Sequence, residues 1–223
     1  MGKKVVTTTV PGATIVSSAI VHLRGTSGSG KTTAMRAAME MCKAKPFERN
    51  EKGTKVLVYR GSLNAGVAKQ VSVYILGDYS PERSAGGCDT ISSVQEVIDL
   101  VEQYGSKRNS IVLLEGLLLA HSWGALGEYV HPRWGERYVN AFLDTPEETC
   151  IERVTERRAS KGRETEGDRA AKIMGNIRDD YYRVALCHKR VIARGGVLVD
   201  IDHLDSQLEF TALVESTAAK FCT

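Results

Sequence analysis

Residues 25–32, Gly-Thr-Ser-Gly-Ser-Gly-Lys-Thr, fit the pattern G-x-x-x-x-G-K-[ST], and that pattern restricts the fold around it. It needs a buried strand to enter it and a helix to leave it. The loop's backbone N–H groups curl around a phosphate while the helix points its positive end at the same anion. Both flanks are present: Ala19–Arg24 is a short apolar run and Thr33–Glu40 is rich in helix formers. Gly25, Gly28 and Gly30 keep side chains out of the approach. Thr26, Ser27, Ser29 and Thr33 complete the expected cradle. Lys31 would reach the β- and γ-phosphates of a nucleoside triphosphate, and the Thr32 hydroxyl would hold the Mg²⁺ between them. A glycine-rich turn without a ligand is the bland alternative; the strand–motif–helix order counts against it.

The 223 residues suffice for one well-buried α/β domain spanning 1–223. A net charge of +3 permits a polyanionic partner without demanding one. The five cysteines (Cys42, Cys88, Cys150, Cys187, Cys222) are scattered, with no C-x-x-C, which argues against a disulfide framework or a structural zinc. No run approaches the roughly 20 apolar residues of a membrane helix, and no signal pattern opens the chain. Met1-Gly2 resembles a myristoylation start, but Val6 stands where Ser or Thr is required. The expected compartment is a reducing cytoplasm.

In chain order, residues 3–18 read either as an extra edge strand or as an extended lead-in. The helix after the phosphate motif should stop before Pro46, and Phe47–Gly53 reads as a surface loop. Lys55–Arg60 and Gln70–Leu76 are β-branched and aromatic runs, a hairpin or neighbouring strands. The glycine-rich loop Ser84–Thr90 should open a helix with Ile91, Val94, Val97, Ile98 and Val101 on its inner face. Ser110–Gly116 and Tyr138–Asp144 read as buried strands. Thr145-Pro146-Glu147-Glu148 reads as a helix start capped by the threonine. Asp168–Arg194 is a long helix, Val197–Ile201 the last core strand, and Ser206–Glu209 the cap of a terminal helix. Strands alternating with helices imply a three-layer α/β fold, a mainly parallel sheet covered on both faces.

The chemistry has its own candidates. Arg153 and Arg157 share a helix face, and Arg158, Arg163 and Arg169 lie in or beside a short connection able to close over a triphosphate and neutralise its charge. Helix arginines paired with Glu152, Glu156 and Glu164 are the alternative. Glu115, at the carboxyl end of a buried strand, is placed to hold a water on Mg²⁺, or else caps the next turn. A hydroxyl acceptor would need a carboxylate to take its proton, and Asp78 and Asp89 are the candidates. Both follow the strand expected beside the phosphate motif, and each has a bland reading as a turn or cap residue.

The phosphate motif, Leu143-Asp-Thr-Pro-Glu-Glu-Thr-Cys-Ile-Glu-Arg153-Val-Thr-Glu-Arg157-Arg158 and the final strand together resemble the adenylate-kinase-like P-loop kinases. That resemblance implies an arginine-bearing lid at 157–169, Arg153 against the adenine of ATP, and Arg157 on phosphates. The middle of the chain is a poorer match to that group. There, Leu76-Gly77-Asp78-Tyr79, Gly86-Gly87-Cys88-Asp89-Thr90-Ile91 and Leu114-Glu115-Gly116 resemble the phage-type kinases that phosphorylate 5-hydroxymethyluracil within DNA. This likeness implies ATP as donor, a modified pyrimidine in DNA as acceptor, 47–90 as the acceptor side, Asp89 rather than Asp78 as the base, and the host cytoplasm as the place of action. It also offers His121–Trp134 and Lys189-Arg190 as DNA-facing surface, with core packing the competing use of Trp123 and Trp134. Two further readings stay open: a kinase for a small nucleotide, nucleoside or metabolite, and a nucleotide-gated binding protein with slow ATPase activity.

Overall fold

The computed structural model describes residues 17–64, 70–80, 86–124 and 126–222. The expectations for residues 3–16, and for the parts of the hairpin turn and glycine-rich loop at 65–69 and 81–85, lie outside the described residues. Strand β1 (Ser18–Arg24) enters the phosphate motif and helix α1 (Lys31–Met41) leaves it. There follow β2 (Lys45–Arg49), β3 (Val56–Asn64), β4 (Gln70–Leu76), α2 (Val94–Gly105), β5 (Ser110–Glu115), α3 (Leu117–Ala120), α4 (Gly127–Trp134) and β6 (Tyr138–Asp144). The chain ends with α5 (Glu147–Ala159), α6 (Gly167–Ala193), β7 (Val197–Asp202) and α7 (Ser206–Phe221).

The strands form one sheet in the order β2-β3-β4-β5-β1-β6-β7. β4, β5, β1, β6 and β7 pair in parallel, whereas β2–β3 and β3–β4 are antiparallel. Val21 of β1 lies level with Leu113 of β5 and Val139 of β6. The phosphate motif therefore emerges at the centre of the parallel sheet's carboxyl edge, where such sheets bind ligands.

Alternation along each strand feeds two cores. Ala19, Val21 and Leu23 of β1 pack with Ile111 and Leu113 against Met35 of α1 and Phe210 and Val214 of α7. On the other face Ile20, Val112, Leu114 and Phe142 pack with Val97 and Val101 of α2, Val130 of α4, and Cys187 and Val191 of α6. The expected three-layer α/β architecture is present.

Several local expectations are corrected. The stretch read as a loop from Phe47 begins inside β2, an edge strand whose pairing with β3 shifts register between Pro46 and Arg49; an edge tolerates the missing proline N–H. α2 starts at Val94 because Ser93 caps it, its Oγ accepting the Glu96 N–H at 3.1 Å. Ile91 thus lies before that helix, and Asp89 sits in a separate 3-10 turn, Gly87–Thr90. Thr145 does not cap α5. Its hydroxyl donates instead to the Ser29 carbonyl at 2.9 Å, and Pro146 takes the cap position. Ser206 likewise lies within α7, after Asp205. β4 does not adjoin β1, since β5 lies between them.

Candidate active site

Helix α1 begins after Gly30, which has φ 101°, with no side-chain cap and no acidic residue in its first turn. No capping side chain therefore accepts its N-terminal amides. At Gly28, φ is +85° and a Cβ would stand 2.5 Å from the Cys150 carbonyl oxygen of α5. Only glycine lets the loop press so closely on that helix. The hydroxyl of Thr145 and the guanidinium of Arg153, whose Nη1 donates to the Gly28 carbonyl at 3.4 Å, hold the loop from the same side.

A groove of ≈ 530 Å³ runs over this loop. It is lined by Ser27, Gly28, Gly30, Lys31, Thr32 and Thr33 of the loop and α1, by Arg153 and Arg157 of α5, and by Gly86, Asp89, Glu115 and Leu117. Gly25, Thr26 and Ser29 do not line it. The buried Thr26 and Ser29 hydroxyls have no hydrogen-bond partner among the described residues. Asp78 is buried and does not line the groove, its carboxylate accepting from the Ser80 N–H at 3.0 Å and from the Ser80 hydroxyl. Arg163 is exposed on the α5–α6 connection and does not line the groove.

Electrostatics separate the acids from one another. Lys31 Nζ donates to the Gly25 and Thr26 carbonyls, 2.8 Å each. Burial pulls its pKa down while Glu115 raises it. Glu115 accepts from the Thr32 hydroxyl at 3.1 Å. Burial pushes its carboxyl up to about 7, against the lowering effects of Lys31 and Thr32. Asp89 places one oxygen 2.7 Å from the Leu117 N–H and the other 3.3 Å from the Leu118 N–H, so it caps α3 rather than the helix that follows it in sequence.

The other end of α3 is held by Arg24, which composition and spacing did not single out. Its side chain is fully buried. Nη1 donates to the Leu119 carbonyl at 2.7 Å and to Cys187 Sγ at 3.2 Å, Nη2 to the Tyr138 hydroxyl at 3.0 Å, and Nε to Asn140 at 2.9 Å. All these partners are neutral. Beside it, His22 contacts the Tyr138 hydroxyl at 3.0 Å. Burial first, then Arg24 and Lys31, hold its pKa well below the ordinary value, so it adds no charge. Two buried cations, Lys31 in the loop and Arg24 just before it, thus hydrogen-bond to neutral acceptors, and the acids nearest Lys31 are Glu115 and Asp89. At the end of α3, His121 Nε2 lies 3.4 Å from Asp180 of α6; burial lowers the His121 pKa and Asp180 opposes it.

Sequence reasoning also missed the groove-lining residues His203, Leu204, Ser206 and Gln207. Their position just past a parallel strand was the available signal. An arginine inside an otherwise apolar strand, next to Gly25, was the signal for Arg24. Trp123 and Trp134 are buried in the core, with the Trp134 indole N–H 3.3 Å from Ser18 Oγ, so neither forms DNA-facing surface. No described helix is long and apolar enough to cross a membrane.

No family model matches the sequence. A 5-hmdU DNA kinase of Pseudomonas phage PaMx11 is 32% identical over 148 residues, covering 66% of this chain and 74% of that protein. A 5-hmdU DNA kinase of Pseudomonas phage M6 is 26% identical over 202 residues, covering 88% and 97%. The 5-hmdU DNA kinase 1 of Salmonella phage ViI is 26% identical over 144 residues, covering 62% and 59%. Among solved structures, a gluconokinase from Sinorhizobium meliloti 1021 aligns over 92% of this chain and 93% of its own, at 14% identity and a TM-score of 0.43; so remote a likeness bears on nothing in the site. By its likeness to the phage PaMx11 protein, and with a phosphate loop at the carboxyl edge of a parallel sheet, the chain belongs to the 5-hmdU DNA kinases and is a P-loop phosphotransferase.

Proposed function

We propose that the chain transfers the γ-phosphoryl group of ATP to the hydroxymethyl oxygen of 5-hydroxymethyluracil within DNA, in the cytoplasm of a phage-infected host. The observation that carries this reading is one groove shared by the phosphate loop, Glu115, the α5 arginines and Asp89. The relatives' names supply the acceptor.

The nucleoside of ATP lies at the His203 and Leu204 end with Arg153 against the base, and the triphosphate lies along the loop amides and α1. Lys31 exchanges the Gly25 and Thr26 carbonyls for phosphate oxygens. The Thr32 hydroxyl and Glu115 carboxylate, 3.1 Å apart, fit Mg²⁺, which takes oxygen ligands from one or two protein groups and completes its shell with phosphate and water. When bound, the ion neutralises charge on the transferring group. Asp89, rather than Asp78, takes the hydroxymethyl proton, because Asp89 lines the groove and Asp78 does not. As that proton leaves, the acceptor oxygen bonds to phosphorus and the bond to the ADP oxygen breaks. Arg157 faces the developing charge, and closure of the connection at 157–169 brings Arg163 to it. A base within a polymer must leave the stack to enter the groove, with 47–90 on the acceptor side.

Label transfer from γ-labelled ATP tests the reading. Label on DNA containing 5-hydroxymethyluracil, absent with Lys31→Ala, is the expected result. Label on free nucleosides or nucleotides alone would transfer the assignment to a small acceptor, and phosphate release without any labelled acceptor would leave a nucleotide switch.

A further inference from the structure

At the antiparallel edge of the sheet, outside the groove, exposed cations and Phe47 cover two buried tyrosines. Phe47 of β2 is 48% exposed. Its ring meets Tyr74 of β4 and Tyr104 of α2 edge-on, with centroids 6.1 and 6.2 Å away, and those two tyrosines stack at 4.4 Å. Two cations lie on this cluster. The Arg60 guanidinium stands 5.4 Å from the Phe47 centroid, and the Lys107 ammonium 4.5 Å from that of Tyr104.

Arg60 also borders a shallow cavity of ≈ 290 Å³ with Lys43 and Lys45, whose remaining walls hold no carboxylate. Glu48, the nearby acid on β2, accepts the Tyr104 hydroxyl instead. Among the described residues, no ion pair engages Lys43, Lys45, Arg60 or Lys107. Four cations set against the one carboxylate of Glu48 leave this edge net positive. Cations seated on ring faces are also partly ordered before a ligand arrives and keep donors free for an anion.

The place of this edge matters as much as its charge. Arg60 pairs with Tyr74 in the β3–β4 ladder. From Tyr74 the strand ends two residues on, at Leu76, roughly 7 Å away. The same connection then leads to Gly86 and Asp89 at the acceptor end of the groove. A DNA strand, with phosphates spaced roughly 3.4 Å along its axis, can run from this edge along β4 toward that end of the groove.

We propose that this edge, Lys43, Lys45, Phe47, Arg60 and Lys107, docks the sugar–phosphate backbone of the DNA strand flanking the target base. The proposal rests on the reading of DNA as the acceptor. The test is fluorescence anisotropy of a labelled long duplex, across a salt series, with wild type and with Lys45→Ala/Arg60→Ala/Lys107→Ala. All three residues are exposed, and the variant should keep the wild-type melting temperature and ATP affinity. The expected result is at least a tenfold loss of DNA affinity and a salt slope shallower by roughly 2–3, at about 0.9 per phosphate contact. In transfer assays the KM for long DNA rises, and that for a trinucleotide acceptor is unchanged. Equal DNA affinity and slope in both proteins would overturn the proposal and leave the β2 edge to a protein partner. Salt-dependent binding lost in the variant, with no transfer to 5-hydroxymethyluracil DNA by the wild type, would support the surface and sink the acceptor reading alone.

Discussion

The two oxygens of Asp89 accept the N–H groups of Leu117 and Leu118, which leaves each oxygen a further lone pair. One carboxylate can thus anchor α3 and still receive a proton. Asp89→Asn separates the roles: kcat should fall by about 10²–10⁴, with ATP affinity nearly unchanged and a stability loss of about 1 kcal/mol from the weakened cap. Isothermal titration and thermal melting read these apart, and a large loss of ATP affinity would make Asp89 a structural cap only. Gly28 offers a second test. Its positive φ and its 2.5 Å Cβ clearance from the Cys150 carbonyl mean that Gly28→Ala must displace the loop, with ATP binding lost and the melting temperature lowered.

At the scale of elements, α5 both supports the phosphate loop and lines the groove. Its Cys150 carbonyl and Arg153 touch the phosphate loop, while Arg157 lines the groove. Removing Arg157 should therefore spare the loop and act on the transition state. Arg157→Ala is expected to lower kcat by about 10²–10³ with a small change in ATP affinity, measurable by single-turnover kinetics. α3 is the complementary case, a single turn held by Asp89 at its N–H end and by Arg24 at its carbonyl end. Its position relative to the loop is set by Arg24, which immediately precedes Gly25.

For the whole molecule, pH dependence follows from Glu115. Burial raises its carboxyl to about 7 from 4.5, so the folded state binds this proton more tightly than the unfolded chain. Its contribution to stability is present below about pH 4.5 and is lost as pH rises through about 7. A magnesium ion held by Glu115 favours the ionised form, so magnesium affinity in the presence of ATP should weaken about tenfold per unit below pH 7. Its binding at pH 6 should release a proton that Glu115→Gln does not release. Calorimetry in buffers of different ionisation enthalpy measures the difference.

The sequence alone determined the strand, loop and helix around residues 25–32, the parallel alternation of the core and the candidate list of acids and arginines. These depend on backbone angles and side-chain periods set by near neighbours. Only the tertiary structure decided that Asp89 lines the groove while Asp78 does not, that Thr145 braces the phosphate loop instead of capping its helix, that His203 lines the groove and that Arg24 holds α3. Those contacts join residues far apart in the chain: Thr32 to Glu115 across 83 positions, and Thr145 to Ser29 across 116. No local pattern records which distant group a side chain meets. The order of the strands sets that, and it is fixed when both faces of the sheet are buried together.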